Sequence, residues 1–267
     1  MGSRSADKIV FTSYDDLFGE EQKAGESVVS LPLSRLHSFK DHPFHVIDDE
    51  KMQETVKSVR QYGVLVPAIV REDKVQGNYE IIAGHRRKRA CELVGHTEMP
   101  AIVRNVTDDE AVIIMVDSNI QREDILPSEK AWAYRMKMEA LSHQGVKGED
   151  YTADLVGETA GDCARTVQRY IRLTYLKTEL LDYADQGRII LAVAEKLSFL
   201  NEEEQGWVLQ VISQNITAPS KSQAEELKEE SRKGDLTEKR VADILNREVK
   251  KVSITISSKK IKDYFPQ

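Results

Sequence analysis

Apolar residues recur at Met52, Val56 and Val59, the i, i+4, i+7 spacing of one helix face, and Gly63 supplies a left-handed cap where that pattern stops. The chain then turns β-rich. Val64 to Arg71 and Tyr79 to Ala83 flank Asp73 to Asn78, whose Gly77 and Asn78 carry turn chemistry, so the two runs predict a hairpin. Directly after Ala83 stands Gly84, followed by His85-Arg86-Arg87-Lys88-Arg89-Ala90-Cys91-Glu92-Leu93-Val94, a helix-forming stretch closed by Gly95. Met99 to Val106 predicts another strand. Thr107-Asp108-Asp109-Glu110 has capping-box spacing and opens a helix through about Val116, a cap that contributes ~1 kcal/mol. Asn119 to Asp124 forms a polar joint. From Pro127 the signal is helical: Ala131, Tyr134, Met138 and Leu141 space as 3, 4, 3, while Asn201 with Glu204 and Ser220 with Gln223 repeat the capping spacing. Val252 to Ile256 alternates like a strand with no evident partner, which predicts a truncated C-terminal piece or an intermolecular pairing.

The pattern is therefore mixed α and β first and all-helical after, and a length of 267 residues accommodates about two domains. With 40% hydrophobic and 31% charged residues the chain can bury a core, and its net charge of −7 excludes a uniformly basic nucleic-acid coat. No purely apolar run exceeds six residues, the length of Ala111 to Val116, far from the roughly 20 needed to cross a bilayer. No secretory signal opens the chain, and Ala6 stands where a myristoylation signal wants Ser or Thr. Cys91 and Cys163 are 72 positions apart without a CxxC, so neither a disulfide framework nor a zinc site is expected and a reducing cytoplasm fits. Both cysteines fall in expected helices and read as packed small side chains. Residues 1–27, with three positive and six negative charges, read as a flexible tail.

Two segments carry candidate chemistry. Gly84 allows a tight turn, and the helix start behind it offers unpaired N–H groups at the positive end of the helix dipole, with Arg86, Arg87, Lys88 and Arg89 around it. Guanidinium forks match phosphate oxygens, so a polyphosphate is one guest; a solvated basic face or a contact to DNA phosphates is the other reading. In Ser118-Asn119-Ile120-Gln121-Arg122-Glu123-Asp124, Asn119 offers a hard oxygen suited to Mg2+ and Arg122 a partner for phosphate, or the segment simply caps its own helix.

Further on, Thr152 to Gly161 with Leu155 and Val156 on one face, then Cys163 to Leu173 with Val167, Tyr170 and Ile171 on one face, spell helix, turn, helix. The outer face of the second helix holds Arg165, Thr166, Gln168, Arg169 and Arg172, side chains able to reach base edges or phosphates. Residues 161–177 carry four positive charges and one negative on an otherwise acidic protein. A plain helical hairpin with a charged outer face is the alternative.

Taken together these segments resemble the ParB/RepB/Noc family of chromosome and plasmid partition proteins. Ile82 to Ala90 resembles the family's GERRxRA box, Asn119-Ile120-Gln121-Arg122-Glu123 its ENxQRE segment, and Gly63 through Pro67 to Arg71 its GxxxPxxxR stretch. Arg172-Leu173 and Gln186-Gly187-Arg188-Ile189-Ile190-Leu191 resemble the RL and EGKLSL stretches behind the family's reader helix, and the likeness spans about residues 29–215.

The resemblance implies an α+β chain: a tail over 1–27, a mixed α/β nucleotide-binding domain over 28–124, an all-α helix-turn-helix domain over 125–215, and a helical extension over 216–267. It implies CTP and Mg2+ as cofactors, with Gly84, His85, Arg86, Arg87, Arg89, Asn119, Gln121 and Arg122 at the nucleotide and Asn119 on the metal. It also implies a homodimer closing as a clamp on an inverted repeat in double-stranded DNA, a ParA-type ATPase as a further partner, and a place on the nucleoid or a plasmid. Three departures stand out. His85 replaces the box's usual Glu, and Ser118 stands where the family has a Glu implicated in metal binding and hydrolysis, so slow CTP hydrolysis is less well supported than binding. Pro43-Phe44-His45 replaces a Pro-Arg pair, which leaves cytosine selectivity resting on the likeness alone. Two other functions use similar modules: a small-molecule phosphotransferase on a ParB-like fold, and a transcriptional or nucleoid regulator of the Noc or KorB type.

Overall fold

The computed structural model describes residues 27–122, 124–146, 148–215 and 218–247. The alternating run at Val252 to Ile256, the tail before Ser27, and Glu123 lie outside the described residues. The chain divides into two compact units: Met1–Ile125 with Trp132–Ala164, and Leu126–Ala131 with Arg165–Gln267.

The first unit is built on a five-stranded mixed sheet of β1 (Val28–Pro32), β2 (Leu36–Ser38), β3 (Ala68–Glu72), β4 (Tyr79–Ala83) and β5 (Glu98–Val103), in the order β1-β5-β3-β4-β2. β3 and β4 form the expected antiparallel hairpin, closed by Asp73 N–H to the Asn78 carbonyl at 2.9 Å with Gly77 at φ +83°. β3 also runs parallel to β5, so the ends of β3 and β5 lie side by side. A one-turn 3-10 helix, Leu33–Arg35, links the two edge strands β1 and β2.

Helix α1 (Glu50–Tyr62) begins at Asp49, whose carboxylate accepts from Met52 N–H at 2.7 Å, and ends at Gly63. Its three apolar positions, Met52, Val56 and Val59, are buried against Ala68, Val70 and Ile81 of the sheet and Ala90 and Cys91 of α2 (His85–Val94). Each such burial stabilises by roughly 1.5–3 kcal/mol. α3 (Asp108–Asn119) opens with the reciprocal Thr107/Glu110 capping box. Near its end Asp117 accepts from Lys137 Nζ at 2.5 Å and Thr159 Oγ1 at 2.9 Å, which ties α3 to α4 (Pro127–His143) and to the residue after α5 (Glu149–Glu158).

The second unit is helical: α6 (Ala164–Leu173), α7 (Thr178–Asp185), α8 (Leu191–Leu197), α9 (Glu202–Asn215), α10 (Lys221–Lys233) and α11 (Glu238–Leu245). Leu173, Leu180, Leu197, Val208, Leu227 and Ile244 belong to one core cluster. The Ser220/Gln223 box caps α10, and Asn201 and Glu204 exchange reciprocal backbone bonds at the start of α9. The two helices that the sequence predicts as a reader pair exist as α5 and α6, and the unit boundary falls after Ala164, the first residue of α6.

Candidate functional site

The site is set by one glycine. Gly84 joins β4 to α2 at φ +120°, a conformation that side chains disfavour, and a Cβ there would stand 2.9 Å from Ala68 Cβ and 3.2 Å from Ala68 Cα. The strand and helix can meet this closely only because position 84 has no side chain. No side chain caps α2, so its first N–H groups open beside the turn and place the positive end of the helix dipole there.

Around that helix start lies a cavity of about 330 Å³. Gly84, His85, Arg86 and Arg87 form one wall, Ser118, Asn119 and Arg122 another, and His42, Phe44 and Val46 close it with two rings and an aliphatic side chain. Three guanidinium groups thus line the space, and among the described residues no carboxylate does. Of the eight residues that the sequence assigns to a nucleotide, six line this cavity: Gly84, His85, Arg86, Arg87, Asn119 and Arg122.

The other two do not. Arg89 points to Asp48, bonding its carboxylate at 2.6 and 3.1 Å, and Gln121 Nε2 donates to the Thr159 carbonyl at 3.2 Å. Arg86 donates one nitrogen to Asp49 at 3.0 Å, so the carboxylate that caps α1 also holds a wall of the cavity. The bonds from Arg89 and Arg86 hold the Asp48 and Asp49 carboxyls below the usual carboxylate range. Arg87 donates Nη1 to the Val66 and Pro67 carbonyls at 2.6 Å each, which fixes the loop before β3. The wall residues His42 and Val46 and the partners Asp48 and Asp49 escape sequence reasoning, while Phe44 enters it only within the Pro43-Phe44-His45 departure. Asp49 three residues before Met52 is a visible N-cap, but its second role at Arg86, 37 positions away, has no local signature.

His85 stacks on His42 with ring centroids 3.9 Å apart, and His42 meets Phe44 edge-on at 5.7 Å. The His85 Nε2 is buried with no hydrogen-bond partner. Burial, helped by His42, Lys88 and Arg87, pushes its pKa down to about 3, so His85 is a neutral imidazole at physiological pH. The unfolded chain takes up a proton near pH 6.5 that the folded chain refuses, so stability is retained above pH 6.5 and lost as pH falls from there toward 3. Unfolding free energies from urea titrations are expected to fall by about 1.4 kcal/mol per pH unit below 6.5. His85→Gln should flatten that slope; an unchanged slope would assign the proton elsewhere.

Ser118 Oγ donates to the Met115 carbonyl at 3.0 Å and accepts from Asn119 Nδ2 at 3.2 Å, while the same Nδ2 donates to Met115 O at 2.8 Å. Asn119 Oδ1 and the second lone pair of Ser118 Oγ are thus the oxygens of this pair left for a cation, both neutral, and no group of three or more His, Cys, Asp or Glu able to hold a metal occurs among the described residues. Mg2+ asks for near-octahedral oxygen ligands, commonly one or two carboxylates beside phosphates and water. A neutral amide oxygen and a neutral hydroxyl, with no carboxylate, do not fit that requirement.

Elsewhere, α6 carries Arg165 exposed to solvent and Thr166, Gln168 and Arg169 half-buried, with Arg169 Nε 3.4 Å from Glu195. Arg172 is engaged differently. Its Nη2 donates to the Ser198 carbonyl at 2.6 Å, its Nε to Ser198 Oγ at 3.3 Å, and its guanidinium lies 4.5 Å from the Tyr175 ring and 4.1 Å from the Phe199 ring. Arg172→Ala is expected to lower unfolding stability by roughly 2–3 kcal/mol through the lost charged hydrogen bond and ring contacts. Base preference in a DNA competition assay should stay the same; a change in preference would return Arg172 to the reading face. Cys91 is buried, which raises its thiol pKa, whereas Cys163 is exposed just before α6, contrary to the packed position expected from sequence. Among the described residues no helix is long and apolar enough to cross a membrane.

Residues 18–120 match the family model described as the ParB N-terminal domain. The chain is 35% identical over 208 residues to the chromosome-partitioning protein Spo0J of Thermus thermophilus, covering 78% of this chain and 72% of that protein. It is 32% identical over 190 residues to the nucleoid occlusion protein of Geobacillus thermodenitrificans, covering 69% of this chain and 64% of that one. A solved structure of the C-terminally truncated chromosome-partitioning protein ParB from Caulobacter crescentus, complexed with CTP-gamma-S, is 26% identical and covers 70% of this chain and 99% of that chain. Its TM-score of 0.34 is too low to argue from, so the assignment rests on the sequence relatives. The chain belongs to the ParB family of partition proteins, and it spans between three fifths and three quarters of the length of the two curated relatives.

Proposed function

We propose that this chain is a CTP-gated, sequence-specific DNA-binding protein of the ParB type, which grips an inverted-repeat, centromere-like site as a dimeric clamp and serves segregation of a chromosome or plasmid. The observation that carries this reading is the cavity in which Gly84, Arg86 and Arg87 at a helix start face Asn119 and Arg122. Guanidinium forks and uncapped amides form a seat for a polyphosphate, and the His42, Phe44 and Val46 wall offers a surface for a base.

The gate follows from Arg86. In the structure it is bonded to Asp49. A phosphate that claims this guanidinium frees Asp49 from its ion pair while the Met52 cap bond stays, so occupancy of the cavity changes the charge at the start of a helix that packs on the sheet. DNA recognition belongs to α6, where Arg165, Thr166, Gln168 and Arg169 share the helix outside, and a good bidentate side chain to base contact discriminates by ~1–3 kcal/mol. On this reading the nucleotide domain spans 28–124 and the DNA-binding domain 125–215, the partner is double-stranded DNA with a ParA-type ATPase beyond it, and the protein works on the nucleoid or a plasmid.

Footprinting on the host replicon tests the proposal: protection of an inverted repeat supports it, and protection without two-fold symmetry contradicts the dimeric clamp. The relative named a nucleoid occlusion protein favours a second use of the same modules, regulation of the nucleoid without segregation. Loss of the gene distinguishes the two, because only the first leaves daughter cells without the replicon. Arg169→Ala is expected to weaken binding to the specific site more than to random DNA; a uniform loss would reassign Arg169 to phosphate contact.

A further inference from the structure

The cavity's ligand set and its charge point in different directions. A family expectation of Mg2+ requires hard anionic oxygens near the phosphates, yet among the described lining residues none is a carboxylate. Ser118 keeps one lone pair of a neutral hydroxyl after its bonds to Met115 O and Asn119 Nδ2, a weaker Mg2+ ligand than a carboxylate. Asn119 contributes Oδ1 alone. Three acidic residues meet this basic face and all are engaged: Asp48 is held by Arg89, Asp49 by both Arg86 and the Met52 N–H, and Glu92 by Lys88 and Arg89.

The positive side is well supplied. Arg86, Arg87 and Arg122 line the space, and the open start of α2 adds about half a positive charge. Once a phosphate takes Arg86 from Asp49, this set offsets most of the roughly four negative charges of an ionised triphosphate unaided. A divalent cation added to three guanidinium groups would make the filled cavity net positive in a partly enclosed space, where like charges are costly.

We propose that this cavity binds a nucleoside triphosphate without a divalent cation, its arginines and helix start neutralising the phosphates in place of Mg2+. The inference rests on the nucleotide reading above. Because a cation that binds the phosphates in solution then competes with the protein, the apparent affinity in chelator equals or exceeds that in magnesium.

Calorimetric titration of the full chain with CTP, in millimolar Mg2+ and again in excess EDTA, tests it. The expected result is a Kd in EDTA equal to or tighter than that in Mg2+. A loss of about tenfold or more in EDTA overturns the inference while leaving nucleotide binding intact. Absence of binding in both buffers overturns instead the nucleotide reading on which it stands. Ser118→Glu gives an independent arm by placing a carboxylate next to Asn119. A folded variant should bind CTP about tenfold more weakly in EDTA than in Mg2+, since the new charge then faces the phosphates without a bridging ion. If it binds equally in both buffers, position 118 is remote from the phosphates and the argument from the ligand set fails.

Discussion

Arg86→Ala is expected to lower CTP affinity by tenfold to a hundredfold while leaving site-specific DNA affinity within about threefold of the parent. The guanidinium lines the cavity and sits at the first turn of α2, where a charge-assisted bond to phosphate contributes roughly 1.5–3 kcal/mol. The fold should tolerate the change, because Arg86 is only partly buried and its partner Asp49 keeps its cap bond to Met52. The residues proposed to read DNA belong to α6 in the other compact unit, so the substitution leaves their own contacts untouched. Parallel calorimetry with CTP and with a duplex carrying the inverted repeat separates the two activities. Equal loss of both would mean that the basic helix grips DNA.

Gly84→Ala should act on the fold itself. The added methyl would stand 2.9 Å from Ala68 Cβ and 3.2 Å from Ala68 Cα, with Arg87 Cζ at 3.3 Å, and the backbone at φ +120° disfavours any side chain. Ala68 is fully buried in β3, a central strand, so it cannot yield by moving into solvent. Overpacking costs typically 1–3 kcal/mol and a sparsely populated backbone conformation a similar amount, giving an expected loss of about 2–5 kcal/mol. Urea titration measures this, and CTP binding should fall with it as α2 shifts away from the cavity. Adding Ala68→Gly should recover the steric part and leave the backbone part, a coupling that a double-mutant cycle reads directly. A single-variant loss below about 0.5 kcal/mol would contradict the close approach.

The elements that local chemistry dictates are legible in the sequence. The period of Met52, Val56 and Val59, the turn at Gly77 and Asn78, and the capping boxes at Thr107 and Ser220 all depend on neighbours within a few positions, and all form as expected. β1 and β2 are not legible. Both are edge strands, one ending in Pro32 and the other three residues long, and β1 gains its identity only by pairing with β5 some 70 positions later. The β-rich run Met99 to Val106 outlasts its strand by three residues, since β5 ends at Val103 where the chain leaves the sheet toward the α3 cap.

The candidate site divides in the same way. The Gly84 turn and the arginines behind it are visible because strand, glycine and basic helix are consecutive. Arg89 and Gln121 stand close to the site along the chain, but Asp48 and the Thr159 carbonyl draw them elsewhere. Arg172 shares the helical period of Arg165 and Arg169, yet Ser198, Tyr175 and Phe199 hold it in a structural role. The cavity wall of His42, Phe44 and Val46 is a tertiary product with no spacing to announce it.

On the proposed function, a cytidine triphosphate seated at the Gly84 helix start controls the grip on DNA. Its most direct measurement is the residence time of the protein on a closed DNA circle bearing the inverted repeat, with and without CTP and with ATP or GTP in its place. The account predicts that CTP alone prolongs retention and that Arg86→Ala abolishes the effect. Retention indifferent to every ribonucleotide would contradict it.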